Sequence, residues 1–506
     1  MPRSTHTLGA ALAALLAAAP AAAQQAPGLT LDQAVRHALE ASPQIEIARA
    51  RLDGGQGEVL SAAAPFDLQL GVKVQGAQSS QYALAQTGGL ADQATVSHST
   101  GYTVSATRQL RSGVTVQPSL GVTRTTVAGL AQADAASSVN LGVSVPLLRG
   151  LGGTALAAPE RAARVGWQAY GEGLRHEMAT GVLQAAGAYW DYVAAQARLE
   201  VTTGSEARAE RLLDETRRLV QADERPAADL DALNAALASK RAARFAAEQG
   251  VAQARRALGL AMGLDAAGIA ALPAPATPFP AAPAWAATPG DQERLVQLAL
   301  ARRADLAGAG LQVRAAEILD RGARSDLKPR LDLRVDVGYT GRQMGPAAAG
   351  QLVRPLFDHV PGLNAQLRVD WQLPLGNLDA RGAVLQREAL VRQQRAAQRD
   401  LQAQVASAVE VAAQALQRSA AQVAEAERAA RLYGAAVEHE REKNRLGAST
   451  LFDVTYAEDS RTSAELALVS ARVAYAQALA ELRFATGTLL DPGTGALEPA
   501  ALTARP

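Results

Sequence analysis

The sequence predicts a mixed fold, a membrane β-barrel combined with long α-helical coiled coil, built from a strand–helix unit that occurs twice. Three observations predict it. Several stretches of about ten residues alternate apolar and polar side chains with period two. Two long tracts carry helical periodicity, and a helix running from residue 378 to 445 would be roughly 100 Å long, too long for a compact domain. The order helix, strand, long helical tract then appears a second time.

The chain opens with MPRSTHTLGAALAALLAAAPAAAQQAP: Arg3 in a short basic region, an apolar run from Leu8 to Ala19, and Ala21, Ala22 and Ala23 ahead of Gln24. This pattern predicts a secretory signal peptide over residues 1–23, too short to span a bilayer as a mature helix. Cysteine is absent. In an exported protein that excludes a disulfide framework, a thiolate nucleophile and lipid anchoring through cysteine. Removing Arg3 from the 50 basic residues leaves 49, against 49 acidic ones, so no net charge favours nucleic acid. No later run approaches about eighteen uninterrupted apolar residues, which argues against a membrane helix.

The first helix–strand unit is LDQAVRHALEASPQIEIARARLDGGQGEVLSAAAPFDLQLGVKVQG, residues 31 to 76. Its counterpart is QERLVQLALARRADLAGAGLQVRAAEILDRGARSDLKPRLDLRVDVGYTG, residues 292 to 341. Ala38-Leu39 matches Ala299-Leu300, Ile45 matches Leu306, and Leu68-Gln69-Leu70 matches Leu331-Asp332-Leu333. Later strands ending in Pro146-Leu147 and Pro374-Leu375 each lead into a helical tract, from Pro159 to Gly263 and from Leu378 to Gly487. The expected division is a first repeat over 24–263, a Pro/Ala-rich linker over 264–291, a second repeat over 292–487 and a tail over 488–506.

In the strands, Phe66, Leu68, Leu70, Val72 and Val74 alternate with Asp67, Gln69, Gly71, Lys73 and Gln75, while Leu367, Val369, Trp371 and Leu373 alternate with Arg368, Asp370 and Gln372. Lipid on one side and a watery lumen on the other require this pattern, although an ordinary soluble sandwich shows it equally well. The helical tracts tip the balance. From Leu401, Val405, Ala408, Ala412, Leu416, Val423, Ala426, Ala430, Tyr433 and Val437 keep a spacing of three or four, interrupted at Ser419. A seam so rich in alanine lets helices approach closely.

Signatures of catalysis are missing. The six histidines, at 6, 37, 98, 176, 359 and 439, form no zinc-type spacing, and His439 reads as a solvated helix residue. Neither a Gly-x-Ser-x-Gly elbow nor a phosphate-binding loop occurs, so catalytic, cofactor-binding and metal residues are expected to be none. The glycine-rich LLRGLGG (147–153) lies at a strand-to-helix junction and reads as a flexible transition. Trp371 suits an interfacial belt or a packed position, and Trp167, Tyr189 and Trp190 read as helix-packing residues.

Over residues 29 to 490 the duplicated strand–helix order and the glycine-broken helices resemble the TolC family of outer-membrane channels. The resemblance implies a homotrimer that pools its strands in one outer-membrane barrel and continues as a helical tunnel through the periplasm. Its partners would be outer-membrane lipid, a periplasmic adaptor and an inner-membrane pump (RND, ABC or similar), in a Gram-negative envelope. The chain itself would be a passive conduit for efflux or type I secretion, with no cofactor and no nucleic acid. The competing class is a non-conducting periplasmic coiled-coil or adhesin-like structural protein, which has no need to repeat barrel strands.

The family pattern of a glycine followed six residues later by Asp-Val stands here as Gly447 and Asp453-Val454, marking the periplasmic tip. A glycine ends one helix cheaply at positive φ, and Ser449-Thr450 can cap the next. The first copy, VQADERPAADLDAL, has Asp229-Leu230 at the Asp-Val position, Asp223 in place of the glycine, and Pro226 beyond it, where proline can begin a helix. The resemblance places Asp453 and Asp229 at the tunnel entrance and makes Pro146 and Pro374 the barrel–tunnel junctions. Either aspartate also suits the plain role of a carboxylate in a helix's first turn. Relatives carry a second aspartate where Tyr456 stands, and entrance links from a tyrosine and an arginine would fall at Asn444 and Ser449, so those links are absent.

The family contributes four strands per protomer, twelve per barrel. Here YTVSATRQLRSGVTVQPSLGVT (102–123) adds a hairpin around Arg111-Ser112-Gly113. That permits eighteen strands, with the RSG turn short and periplasmic; Pro118 equally permits an extracellular flap.

Overall fold

The computed structural model describes residues 28–82, 94–128, 133–283, 288–345 and 363–491. The expected signal peptide lies outside them, as does all of the tail beyond Asp491. The chain divides into two compact units, one of residues 1–41, 184–283 and 419–477, the other of residues 42–183, 284–418 and 478–506.

The second of these units contains one antiparallel sheet of six strands in sequence order: β1 (Gln69–Tyr82), β2 (Ala94–Gln109), β3 (Thr115–Val127), β4 (Ala133–Pro146), β5 (Arg330–Gly345) and β6 (Leu363–Gln372). Alternation in the sequence becomes two faces of opposite character. Val72, Val104, Leu120, Val139, Tyr339 and Leu363 pair in one continuous row across all six strands. Gly71, Ser105, Ser119, Asn140, Gly338 and Asn364 form a row on the other face. On the apolar row Val72 is 74% exposed and Leu363 75%, while Tyr339 is half-buried.

The hairpin added at 102–123 is an integral pair of strands, β2 and β3, between β1 and β4. Its turn closes through Gly113 N–H to Leu110 O at 2.9 Å, with Gly113 at φ +99°. Arg111 in the turn forks onto Glu160, at 2.7 and 2.9 Å, in the first turn of a long helix. That anchor, on the side of the sheet where the long helices begin, sets aside the flap. Pro118 is accommodated because the missing N–H falls on the β2 side, where pairing is interrupted between Ser105–Ser119 and Arg108–Val116, while Pro118 still pairs with Leu141 of β4.

The helices are α1 (Leu31–Ala41), α2 (Pro43–Ala63), α3 (Ala158–Gln221), α4 (Ala228–Ala261), α5 (Ala266–Ala271), α6 (Pro289–Arg302), α7 (Ala304–Ser325), α8 (Leu378–Arg445) and α9 (Leu451–Ala485). The duplicated stretch before each strand is a pair of helices, α1–α2 and α6–α7, each broken at one extended residue, Ser42 or Arg303, rather than the single helix expected. Pro43 explains the first break, because proline restrains the residue before it. At the second, Arg303 is held by its own side chain, which donates to Asp305 at 3.0 and 2.7 Å, lies 5.2 Å from the Phe484 ring centroid and reaches the Ala485 carbonyl. Matched positions are buried in both copies, Ala38 with Ala299 and Ile45 with Leu306.

α8, with 68 residues, bears out the expected giant helix. Val405, Ala412, Leu416, Val423 and Val437 are buried, and so is Ser419, which does not interrupt the seam. Ala408 and Tyr433 instead face outward, and Val409 and Ala413 take up the buried stripe. An α-helix drifts off a strict spacing of three or four, which moves the seam around it.

In the first unit, the proline-rich tract packs on helices. Leu29 and the stretch at Ala274–Ala276 exchange backbone hydrogen bonds of 2.9 Å. The buried Tyr189 hydroxyl donates to Leu29 O and accepts from Thr277 N–H, each at 2.9 Å, and Phe279 stacks on Trp190 with centroids 5.9 Å apart. Tyr189 and Trp190 are fully buried, as their packing role requires, whereas Trp167 is 39% exposed.

Candidate functional site at the helix turns

The first unit contains both predicted tips, where α3 turns into α4 and α8 into α9. Gly447 has φ +72°, its N–H donates to Asn444 O at 3.1 Å, and Ala448 N–H donates to Lys443 O at 2.8 Å. This is a Schellman ending, which satisfies carbonyls that the helix leaves open. Asp223 does the same without being glycine. It sits at φ +58°, its N–H donates to Val220 O at 3.1 Å, and Glu224 N–H donates to Leu219 O at 2.9 Å. α4 and α9 end identically at Gly263 and Gly487. The two pairs, 447 less 223 and 487 less 263, share a separation of 224 residues.

The start of the second helix differs between copies. At the α9 tip Thr450 and Asp453 form a reciprocal cap: Asp453 N–H donates to Thr450 Oγ1 at 3.2 Å, while Thr450 N–H and hydroxyl donate to Asp453 Oδ2 at 3.0 and 2.6 Å. The hydroxyl and amide of Thr450 hold the Asp453 carboxyl below the ordinary aspartate value. Nearby, Ser449 and Lys443 lower Glu440, with Asp453 opposing them. At the α4 tip Pro226 stands where Thr450 stands in the other copy. Its carbonyl accepts from Asp229 N–H at 3.2 Å, and the Asp229 carboxylate lies 3.7 Å from Arg225.

Arg225 is the residue that sequence reasoning missed. It donates to Asn444 Oδ1 at 2.9 Å, while Asn444 Nδ2 donates to Ser449 O at 2.8 Å. One hydrogen-bond chain therefore runs from the first-copy tip through Asn444 into the second. The sequence excluded at Asn444 and Ser449 only the tyrosine and arginine links of relatives; the link found at Asn444 is a different one, made by Arg225. Below the turns, Leu213, Leu233 and Leu237 form a core joined by Leu230 and Leu451. Leu446, Phe452 and Tyr456 remain exposed, at 71%, 76% and 68%.

Pro146 is buried at the end of β4, paired with Asp332, and Leu147 N–H continues the ladder to Leu331 O at 2.7 Å. The glycine-rich stretch after it turns through positive φ at Gly150, Gly152 and Gly153. Pro374 is exposed, in the short segment between β6 and α8. Among the described residues, no group of His, Cys, Asp and Glu could hold a metal ion, and no helix is long and apolar enough to cross a membrane.

Residues 295–488 match the family model described as outer membrane efflux protein. Over that stretch the chain is similar to outer membrane efflux proteins. The fold over nearly the whole chain agrees with it. The chain is similar to the CmeC outer membrane channel of Campylobacter jejuni, with TM-score 0.66 and 13% identity over 91% of this chain and 87% of that one. It is also similar to the outer membrane protein VceC of Vibrio cholerae, with TM-score 0.65 and 18% identity over 90% of this chain and 96% of the other. A third is the open state of the MtrE outer membrane channel of Neisseria gonorrhoeae, with TM-score 0.60 and 17% identity over 90% and 88%. No curated protein matches the chain. The resemblance read from the sequence is borne out, and in the first repeat it rests on fold rather than on the family model.

Proposed function

We propose that the chain is the outer-membrane channel of a tripartite efflux or type I secretion system, a passive conduit from a periplasmic adaptor and inner-membrane pump to the cell exterior. The observation that carries this reading is the apolar row that crosses all six strands, exposed at every position but the half-buried Tyr339 and backed by a polar row, in a chain whose helices run to 64 and 68 residues. Water disfavours such a face, and a bilayer requires it. In this reading three copies pool their sheets in one barrel. Their tips bring Asp453 and Asp229 to the tunnel mouth, where a ring of carboxylates attracts cations. The tip groove would meet the adaptor, with Asp223 and Pro226 giving its first-copy side a different chemistry.

Single-channel recording in planar bilayers tests this. Cation-selective steps are expected, with selectivity reduced in Asp453→Asn, which removes the charge and keeps an oxygen for the Thr450 cap. A verified trimer with no conductance, even with its adaptor, would overturn the channel. Unchanged selectivity in the variant would remove the ring.

A further inference from the structure

Among the described residues the sheet has two open edges, β1 and β6, which are the first and last of six strands. An edge presents a row of unpaired N–H and C=O groups, and in a bilayer each would cost several kcal/mol. Six strands are fewer than the roughly eight needed for the smallest closed membrane barrel, so another copy must cover the edges. Because six is even, β1 and β6 run in opposite directions, and identical copies can join with every pair antiparallel.

The geometry points to a specific seam: β6 of one protomer pairs with β1 of the next so that Asp370 faces Lys73 across the polar side of the wall. The offset is limited first by the faces. Apolar must meet apolar, so only even offsets qualify. A row of paired residues runs from Gly71 through Ser105, Ser119, Asn140 and Gly338 to Asn364. It begins two residues above the start of β1 at Gln69 and ends eight residues before the end of β6 at Gln372. That climb of six residues over five strand-to-strand steps extrapolates to about seven for a full protomer. With about 3.3 Å per residue and about 4.8 Å between strands, an offset of six gives a strand tilt of about 35° and an offset of eight about 43°, whereas four or ten fall outside the usual range.

Charge decides between the two. An offset of six puts Lys73 opposite Arg368; an offset of eight puts it opposite Asp370. Within the chain Asp370 already pairs across from Asp332, and Arg368 from Arg334. Like charges directly opposite are destabilising; on β5 Asp332 is offset by its ion pair with Arg330 and Arg334 by its pair with Asp336, so the charges of β6 are the ones a neighbouring strand can still compensate. Among the described residues, neither Lys73 nor Asp370 has an ion-pair partner in its own chain. The offset of eight supplies one and leaves Arg368 opposite Gln75. It also aligns Val74 with Val369, Val72 with Trp371 and Leu70 with Leu373 on the apolar side. The tilt does not depend on the number of copies; the trimer of the proposed function makes eighteen strands, half as many again as the twelve of the family.

The test exploits the absence of cysteine. The double variant Lys73→Cys with Asp370→Cys, oxidised in outer membranes, should give covalent dimers and trimers on non-reducing gels, and each single variant none. Stronger linking in Lys73→Cys with Arg368→Cys would overturn the register. No linking of either pair in an assembled oligomer, or a density map with twelve strands, would overturn the seam. To guard against misfolded cysteine variants, charge reversal is a second readout. Lys73→Asp should lower the temperature at which the oligomer dissociates, and adding Asp370→Lys should restore it; a swap that restores nothing counts against the pairing. Conductance is recorded separately on the unmodified protein, so a linked but non-conducting assembly would reject the channel and keep the seam.

Discussion

Asp223 and Gly447 do the same work with different side chains. Both hold the left-handed backbone conformation that ends a long helix, but an aspartate there carries a steric cost that glycine lacks. Asp223→Gly should therefore stabilise the α3–α4 turn by about 1 kcal/mol, and Gly447→Ala should destabilise the other by about 1 kcal/mol. Nothing lies within 4 Å of a Cβ built at Gly447, so backbone strain alone sets that cost. Amide hydrogen exchange at Ala448 and Glu224 reads both. Asp453 adds a pH dependence. Its folded pKa is lowered by the Thr450 cap, so the stability it contributes is present above the ordinary aspartate value and is lost as pH falls through the lowered one. The difference in α9 first-turn protection between wild type and Asp453→Ala should shrink on acidification; a constant difference would show that the carboxylate's charge does not act there.

Among the elements, the proline-rich tract changed most between expectation and structure. Composition marks it as a spacer, but Tyr189 turns it into a packed strap by bridging Leu29 and Thr277. Tyr189→Phe would leave the half-buried Thr277 amide without that partner, while Leu29 O keeps its bond from Ala276 N–H, at a cost of about 1 kcal/mol. Faster exchange at Thr277 and earlier proteolysis between residues 264 and 283 should follow, with α3 itself unchanged. The helix ends were largely legible, because Gly263, Gly447 and Gly487 are strong local stop signals. The α6–α7 break was not. No proline or glycine marks Arg303, whose extended backbone depends on Asp305, Phe484 and Ala485, and the last two are far along the chain.

For the whole molecule, the two-faced sheet makes a direct prediction. Val104 lies on the apolar row of a central strand and Thr103 beside it on the polar face. Val104→Arg should cost about 2–4 kcal/mol near the bilayer midplane and deplete the protein from outer membranes, while Thr103→Arg should leave assembly intact. Equal loss from both variants would argue against lipid on the apolar side. The extra hairpin was visible in sequence as two alternating runs around Arg111-Ser112-Gly113, yet its place was not. Alternation is the same for a wall strand and a flap, and only the ladders to β1 and β4, with the Arg111–Glu160 anchor, separate them.

The sequence by itself determined the duplicated plan, the strand faces and the positions where the giant helices turn, because each is a local matter of periodicity, glycine stereochemistry or capping. Only the tertiary structure decided that β2 and β3 belong to one six-stranded sheet, that Asp223 reproduces a glycine turn, and that Arg225 joins the two tips. Those depend on groups brought together from distant parts of the chain, such as Arg225 and Asn444, for which local sequence carries no signal.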